Sequence, residues 1–153
     1  MERATFGMGC FWGPEETFRK VDGVISTSVG FMGGSLENPT YEEVCTGRTG
    51  HAEVVHVEFD PSRIAYQDLL EIFWAHHDPT TRNRQGPDIG TQYRSALFFH
   101  SPEQEAAARA SKEKLERSGR YRREIVTEIV PAGSYYPADE YHQRYLEKRR
   151  ARW

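Results

Sequence analysis

Cysteine is scarce in this chain: Cys10 and Cys45 are the only 2 among 153 residues. The opening Met1-Glu2-Arg3-Ala4-Thr5-Phe6-Gly7 lacks the long apolar core of a secretory leader. Without such a leader, two thiols read as free groups rather than a disulfide framework, and the cytoplasm is the default location. Long apolar runs are missing as well; none approaches the roughly 18 residues of a membrane-spanning helix. Charge of one sign is also absent: 20 Lys and Arg stand against 23 Asp and Glu. That balance argues against a nucleic-acid binder, which carries a strongly basic face. The one basic run, Lys148, Arg149, Arg150 and Arg152, reads as the solvated end of a helix. There are no repeats, linkers or low-complexity stretches, and the length suits one domain over residues 1–153.

What is present is an alternation of strand and helix signals. Ala4 to Met8 is short and apolar and predicts a buried strand. Gly13-Pro14-Glu15-Glu16 opens a helix reaching about Lys20, stopped by Asp22-Gly23. Val24 to Phe31 reads as a strand, and Asn38-Pro39-Thr40 leads into a helical turn through Val44. His51 to Phe59 alternates by two, with Val55, Val57 and Phe59 on one face. A helix follows over Tyr66 to His76, then a long polar loop from Pro79 to Gly90. Tyr93 to His100 is a strand. Ser101-Pro102-Glu103 starts a helix that runs to Ser118. Ile125 to Val130 is a strand, and Asp139 to Arg150 a last helix. The order predicts an α+β fold: a two-layer sandwich of a mixed, mainly antiparallel sheet with helices, of the split βαβ or ferredoxin-like plait kind.

Cys10 is the most informative residue, because it sits where a strand ends and a helix begins. Backbone N–H groups at a helix start carry positive partial charge, so a thiol there is expected to have a lowered pKa. Position alone leaves a buried, inert cysteine as an equal alternative. Phe11 and Trp12 follow at once and point to different sides, so at least one is expected to flank Cys10. Core packing explains a lone aromatic equally well. Glu53 shares a strand face with Val55 and Val57, which is consistent with burial, although an isolated strand carboxylate is more often exposed. Of the histidines, His51 and His56 fall on opposite strand faces and His76 and His77 diverge on a helix end. None has zinc-site spacing, so no metal is expected, and His51 and His77 are expected to make structural hydrogen bonds.

Gly9-Cys10-Phe11-Trp12-Gly13-Pro14-Glu15 resembles the signature of the A-type peptide methionine sulfoxide reductases. Further blocks agree in order: Asn38-Pro39-Thr40-Tyr41, Val44-Cys45-Thr46-Gly47, Thr49-Gly50-His51-Ala52-Glu53, Phe59-Asp60-Pro61 and Phe73-Trp74. So do His77-Asp78-Pro79, Arg84-Gln85-Gly86, Asp88, Gly90-Thr91-Gln92-Tyr93-Arg94-Ser95 and Tyr135-Tyr136. The likeness spans nearly the whole chain except its C-terminal end. It implies thiol-dependent reduction of methionine S-sulfoxide, free or in proteins, to methionine, as a repair of oxidative damage. It implies Cys10 as the nucleophile on the sulfoxide sulfur and Phe11 and Trp12 as the pocket for the substrate methyl. Glu53 resembles the proton donor to the sulfoxide oxygen. Tyr41 and Tyr93 resemble hydroxyl donors to the same oxygen, and Asp88 the residue that holds the polar side together. No bound cofactor is implied. The implied partners are oxidised proteins or peptides, with thioredoxin or glutaredoxin and glutathione as reductant, and the expected state is a monomer.

One departure stands out. Many relatives resolve the sulfenic acid left on the nucleophile with a second cysteine in a Gly-rich tail, whereas Glu147-Lys148-Arg149-Arg150-Ala151-Arg152-Trp153 holds none. The expectation is a one-cysteine enzyme recycled by an external thiol, with Cys45 buried and inert one helical turn beyond Tyr41. Two other readings remain open on sequence: a cysteine acyl hydrolase, which needs a histidine base beside Cys10, and a module that binds sulfoxide without turnover.

Overall fold

The computed structural model describes residues 1–151, and the side chains up to residue 149. Arg152, Trp153 and the Arg150 side chain lie outside the described residues, and with them part of the basic run. The strands are β1 (Glu2–Met8), β2 (Val24–Met32), β3 (Ala52–Phe59), β4 (Arg84–Gln85), β5 (Asp88–Ile89), β6 (Ser95–Phe99), β7 (Glu128–Pro131) and β8 (Tyr136–Pro137). The helices are α1 (Trp12–Arg19), α2 (Tyr41–Cys45), α3 (Tyr66–Ala75), α4 (Pro102–Arg117) and α5 (Tyr145–Ala151).

The main sheet runs β7-β6-β1-β3-β2-β8. Its middle four strands pair antiparallel, with α1 between β1 and β2 and α3 between β3 and β6. That is the split βαβ plait expected from the order of signals. β7 joins β6 in parallel at one edge, which makes the sheet mixed. The long loop is not structureless: β4 and β5 form a small antiparallel hairpin within it. The last helix also differs from expectation. It divides into a 3₁₀ turn, Glu140–His142, and α5, because Arg144 adopts φ +50° between them.

Period two sorts the strands. Ala4, Phe6 and Met8 of β1 and Val55, Val57 and Phe59 of β3 face the helix layer, where Phe18, Leu69, Leu70 and Phe73 cover them. The opposite face buries Val54, Ala96 and Phe98 beneath Ala132 and Tyr135 from the β7–β8 connection. Local signals set the helix starts. Thr40 and Glu43 exchange capping hydrogen bonds at α2, and Ser101 accepts from the Gln104 N–H at 3.2 Å at α4. Phe6 is fully buried, stacked on Phe18 at 4.8 Å and 5.6 Å from Phe73. Phe6→Ala is therefore expected to lower unfolding stability by about 3–5 kcal/mol, read from the urea midpoint at unchanged slope.

Candidate active site

β1 delivers the chain to Gly9, whose φ of +96° turns it sharply before α1. A side chain at position 9 would meet Gln85 Cγ at 2.8 Å, so glycine is required twice over. Gln85 is itself anchored to the Asp78 backbone, its Oε1 accepting from the Asp78 N–H at 3.0 Å and its Nε2 donating to the Asp78 carbonyl. Cys10 comes next, half-buried, with its sulfur accepting from the Trp12 backbone N–H.

The expected lowering of the Cys10 pKa is corrected by the structure. Burial raises it to about 11, the Trp12 N–H opposes that, and the nearby charges of Glu53 and Asp88 add to the rise. One backbone donor at an 8-residue helix does not replace the water a thiolate loses on burial. The resting group is a thiol.

Glu53, near the start of β3, is 1% exposed, as its period-two position suggested. Burial pushes its pKa up to about 7. The Phe11 N–H, donating to Oε1 at 3.3 Å, pulls the other way, and Asp88 adds to the rise. Its Oε2 is buried with no partner among the described residues. A carboxyl so placed is partly protonated near neutral pH and has a free oxygen to present the proton from.

Two phenols complete the polar side. Tyr93 closes a 3₁₀ turn, and burial pushes its pKa up to about 12. Tyr41 on α2 is likewise raised by burial and by donating its O–H to the Cys45 sulfur. Both therefore remain hydrogen-bond donors. Asp88, on the β4–β5 hairpin, acts electrostatically on Cys10, Glu53 and Tyr93. All the residues expected from the sequence are thus gathered around Cys10, from five separate segments.

The apolar side holds more than the sequence suggested. Phe11 is buried with Val29, Phe31, Val44 and Ala138. Trp12 stacks on Tyr145 at 3.9 Å and 14°. Its indole N–H donates to His142 Nδ1 at 3.1 Å, and the His142 ring lies 4.4 Å from Tyr41 and 5.4 Å from Phe11. Burial lowers the His142 pKa, so the imidazole is neutral and carries its proton on Nε2, which is buried without a partner among the described residues. Gln143 holds this segment in place by bonding both the N–H and the carbonyl of Val29, and buried Glu15 accepts from the Arg144 N–H and the Thr27 hydroxyl. Sequence reading passed over His142, Gln143 and Tyr145, because residues 130 positions from Trp12 share no local pattern with it. The only available signal was the position of His142 and Tyr145 three apart in one aromatic-rich segment.

Cys45 also differs from expectation. It is exposed at the end of α2 rather than buried, and its partner is the Tyr41 hydroxyl. A five-residue helix is too short to bury both its faces; Val44 takes the core position and leaves Cys45 outward. The histidines do structural work: His51 joins the Gly34 N–H to the Leu36 carbonyl, and His77 joins the Phe73 carbonyl to the Ser95 hydroxyl. Among the described residues no three His, Cys, Asp or Glu side chains are placed to hold a metal, and no helix is long and apolar enough to cross a membrane.

A thiol faced by a carboxyl that titrates near neutral pH and by two phenols, beside an aromatic wall, is equipped to attack an electrophile whose departing oxygen must be protonated. That defines a thiol-dependent oxidoreductase. Comparison with known proteins supplies the family. The family model described as peptide methionine sulfoxide reductase matches residues 2–153. A peptide methionine sulfoxide reductase A of Methanoculleus marisnigri is 68% identical over 149 residues, 97% of this chain and 91% of that one. Among solved structures, Mxr1 from Saccharomyces cerevisiae in reduced form superposes with a TM-score of 0.90 at 39% identity, covering 96% of this chain and 84% of that one. The same yeast protein in complex with Trx2 matches at 28% identity with a TM-score of 0.66, covering 94% and 84%. The chain belongs to the peptide methionine sulfoxide reductase family, A type. It is a peptide-methionine (S)-S-oxide reductase, returning methionine S-sulfoxide to methionine with electrons from thiols.

Proposed function

We propose that residues 1–153 act as one catalytic domain in which Cys10 is the nucleophile and Glu53 the proton donor of this reaction. The observation that carries the assignment is Glu53: a carboxyl in the core, with one oxygen unpartnered and its pKa raised to about 7. The sulfoxide S–O bond is polarised, and attack at sulfur builds charge on oxygen. Tyr93 donates to that oxygen, as does Tyr41 once its O–H turns from the Cys45 sulfur, while Asp88 holds the polar side together. Phe11 and Trp12 receive the methyl group, with His142 and Tyr145 setting the indole plane. The Cys10 thiol passes its proton to ionised Glu53, the thiolate sulfur bonds to the substrate sulfur, and Glu53 gives that proton to the oxygen. Transfer of the hydroxyl to Cys10 then releases methionine and leaves a sulfenic acid.

An external thiol attacks that sulfenic acid, releasing water and forming a mixed disulfide, which a second thiol reduces. The yeast Mxr1 complex with Trx2 supports a thioredoxin in this role; glutaredoxin with glutathione is the alternative. Cys45 is a poor resolver, because partial desolvation of its sulfur raises its pKa even though the residue is exposed, and little of it is thiolate at neutral pH. A cytoplasmic, monomeric repair enzyme accords with this reductant.

The acyl-hydrolase reading has little support. His142 already accepts from Trp12 through Nδ1, and the charged groups that act on the Cys10 thiol among the described residues are Glu53, Asp88 and Cys45 rather than a histidine. A single turnover without reductant tests the proposal. One methionine per chain with one thiol lost is expected, and Cys45→Ser should give the same yield and still recycle with dithiothreitol. Loss of both thiols would make Cys45 the resolver, and no methionine from the S epimer would sink the assignment.

A further inference from the structure

Two glutamines among the described residues are buried, Gln92 and Gln104, each 4% exposed. A buried amide costs stability unless its polar atoms find partners. Gln104 is fully bonded: its Oε1 accepts from the His100 N–H at 2.9 Å, and its Nε2 donates to the Arg3 carbonyl at 2.7 Å. Gln92 is not. Its Nε2 donates to the Cys45 carbonyl at 3.4 Å, while its Oε1 is buried with no partner among the described residues. That arrangement costs the fold something, and the residues it joins supply a reason for it. We infer that Gln92 is a positioning residue: it holds the turn carrying Tyr93 against the end of α2, and so places the Tyr93 hydroxyl beside that of Tyr41. This rests on the proposed role of the two phenols at the sulfoxide oxygen.

The turn is the 3₁₀ segment Thr91–Tyr93, closed by the Tyr93 N–H donating to the Gly90 carbonyl at 3.1 Å. A single short turn does not by its own bonds fix where it lies against a neighbouring helix. Two side chains from it reach the end of α2. Gln92 donates to the Cys45 carbonyl, one of those a helix end leaves without an internal partner, and the Thr91 hydroxyl donates to the Gly47 carbonyl at 3.4 Å. Cys45 is also the residue whose sulfur accepts from the Tyr41 O–H. One amide therefore links the residue that orients Tyr41 to the residue next to Tyr93, and the two phenols are near enough to act on each other electrostatically. Packing fixes the amide in this pose. A Cβ at Gly90, where φ is +148°, would take the place of Gln92 Oε1, and a Cβ at Gly47 would stand 3.8 Å from it. Turning the amide over would set its oxygen against the Cys45 carbonyl, acceptor against acceptor. Charge on the sulfoxide oxygen grows only as the new sulfur bond forms, so a displaced Tyr93 is felt in the transition state rather than in binding.

The test is the kinetics of Gln92→Met, which keeps the volume but cannot donate, on a methionine S-sulfoxide peptide with dithiothreitol as reductant. The expected result is a kcat about tenfold lower with KM within about twofold. Tyr93→Phe is expected to lose more, and the double variant no more than Tyr93→Phe alone, because Gln92 acts through that hydroxyl. Gln104→Met is the comparison, since Gln104 bonds the start of β1 while Cys10 follows its end. It is expected to lower the unfolding midpoint at least as far and to leave kcat within about twofold. Thr91→Val removes the half-buried link, and keeps the inference testable should the core variant not fold; a fall in kcat of about threefold at unchanged KM is expected. Losses that multiply in the double variant, a loss carried by KM, or the same fall in kcat from Gln104→Met would each overturn the inference. Full activity in Tyr93→Phe would instead overturn the proposed role of Tyr93, and this inference with it.

Discussion

Glu53→Gln is expected to lower the rate of sulfoxide reduction at neutral pH by about a hundred- to ten-thousandfold, the usual worth of a positioned general acid. The shape of its pH profile is the stronger test. The reactive form needs Cys10 as thiolate and Glu53 as acid. With pKa values of about 11 and about 7, the dominant form between them has the proton on sulfur and the carboxyl ionised. Both arrangements carry one proton, so their ratio does not change with pH in that window. The reactive fraction rises toward pH 7, stays level to about pH 11, and falls above it. Glutamine has no proton to lose, so the variant then needs only the thiolate. Its residual rate should keep climbing from pH 6 up to the thiol's own inflection, with none near 7. Removing the negative charge beside Cys10 should also move the upper inflection to lower pH, because Glu53 contributes to the raised thiol. Single-turnover rates across pH for both proteins measure this. A level profile retained in Glu53→Gln would remove Glu53 from the proton-transfer role.

Cys10→Ala is expected to abolish turnover, by at least about 10⁴-fold, without changing the unfolding midpoint by more than about 1 kcal/mol. Among the described residues no second nucleophile is positioned to replace it. Cys45 is exposed and engaged with the Tyr41 hydroxyl, and the phenols are held protonated by burial. The half-buried Cys10 side chain is small, so its loss leaves Phe11, Trp12 and Glu53 supported by their own contacts. The variant should still bind a methyl sulfoxide, seen as a change in Trp12 fluorescence. In Cys45→Ser, alkylation of Cys10 by iodoacetamide reports its ionisation: the rate should rise steeply with pH and level off near 11, where a thiol at a strong helix-start site would already be fast at pH 7. Appreciable turnover by Cys10→Ala would assign the nucleophile elsewhere.

Much of the frame was legible locally. The alternation in β3 placed Glu53 on the face of Val55 and Val57, and burial followed. Ser101-Pro102 marked the start of α4, and the order of strands and helices selected the split βαβ plait. The polar loop from Pro79 to Gly90 hid a hairpin because strands of two residues have no periodicity to show. The terminal helix was read as continuous because nothing in the residues around Arg144 announces a positive φ.

The sequence by itself determined the elements, the position of Cys10 at a strand-to-helix turn, and, through the ordered likeness to one family, the reaction. These depend on neighbours within a few positions or on motifs that travel whole. Tertiary structure decided the electrical state of the site. Whether Cys10 rests as thiol or thiolate, and whether Glu53 keeps its proton, depends on how much water and which charges remain after distant segments close over them. It also decided that His142 and Tyr145 would orient Trp12, and that Cys45 would face solvent. Those outcomes arise from contacts between segments far apart in the chain, and no local pattern of residues encodes a contact that forms only when the sheet is assembled.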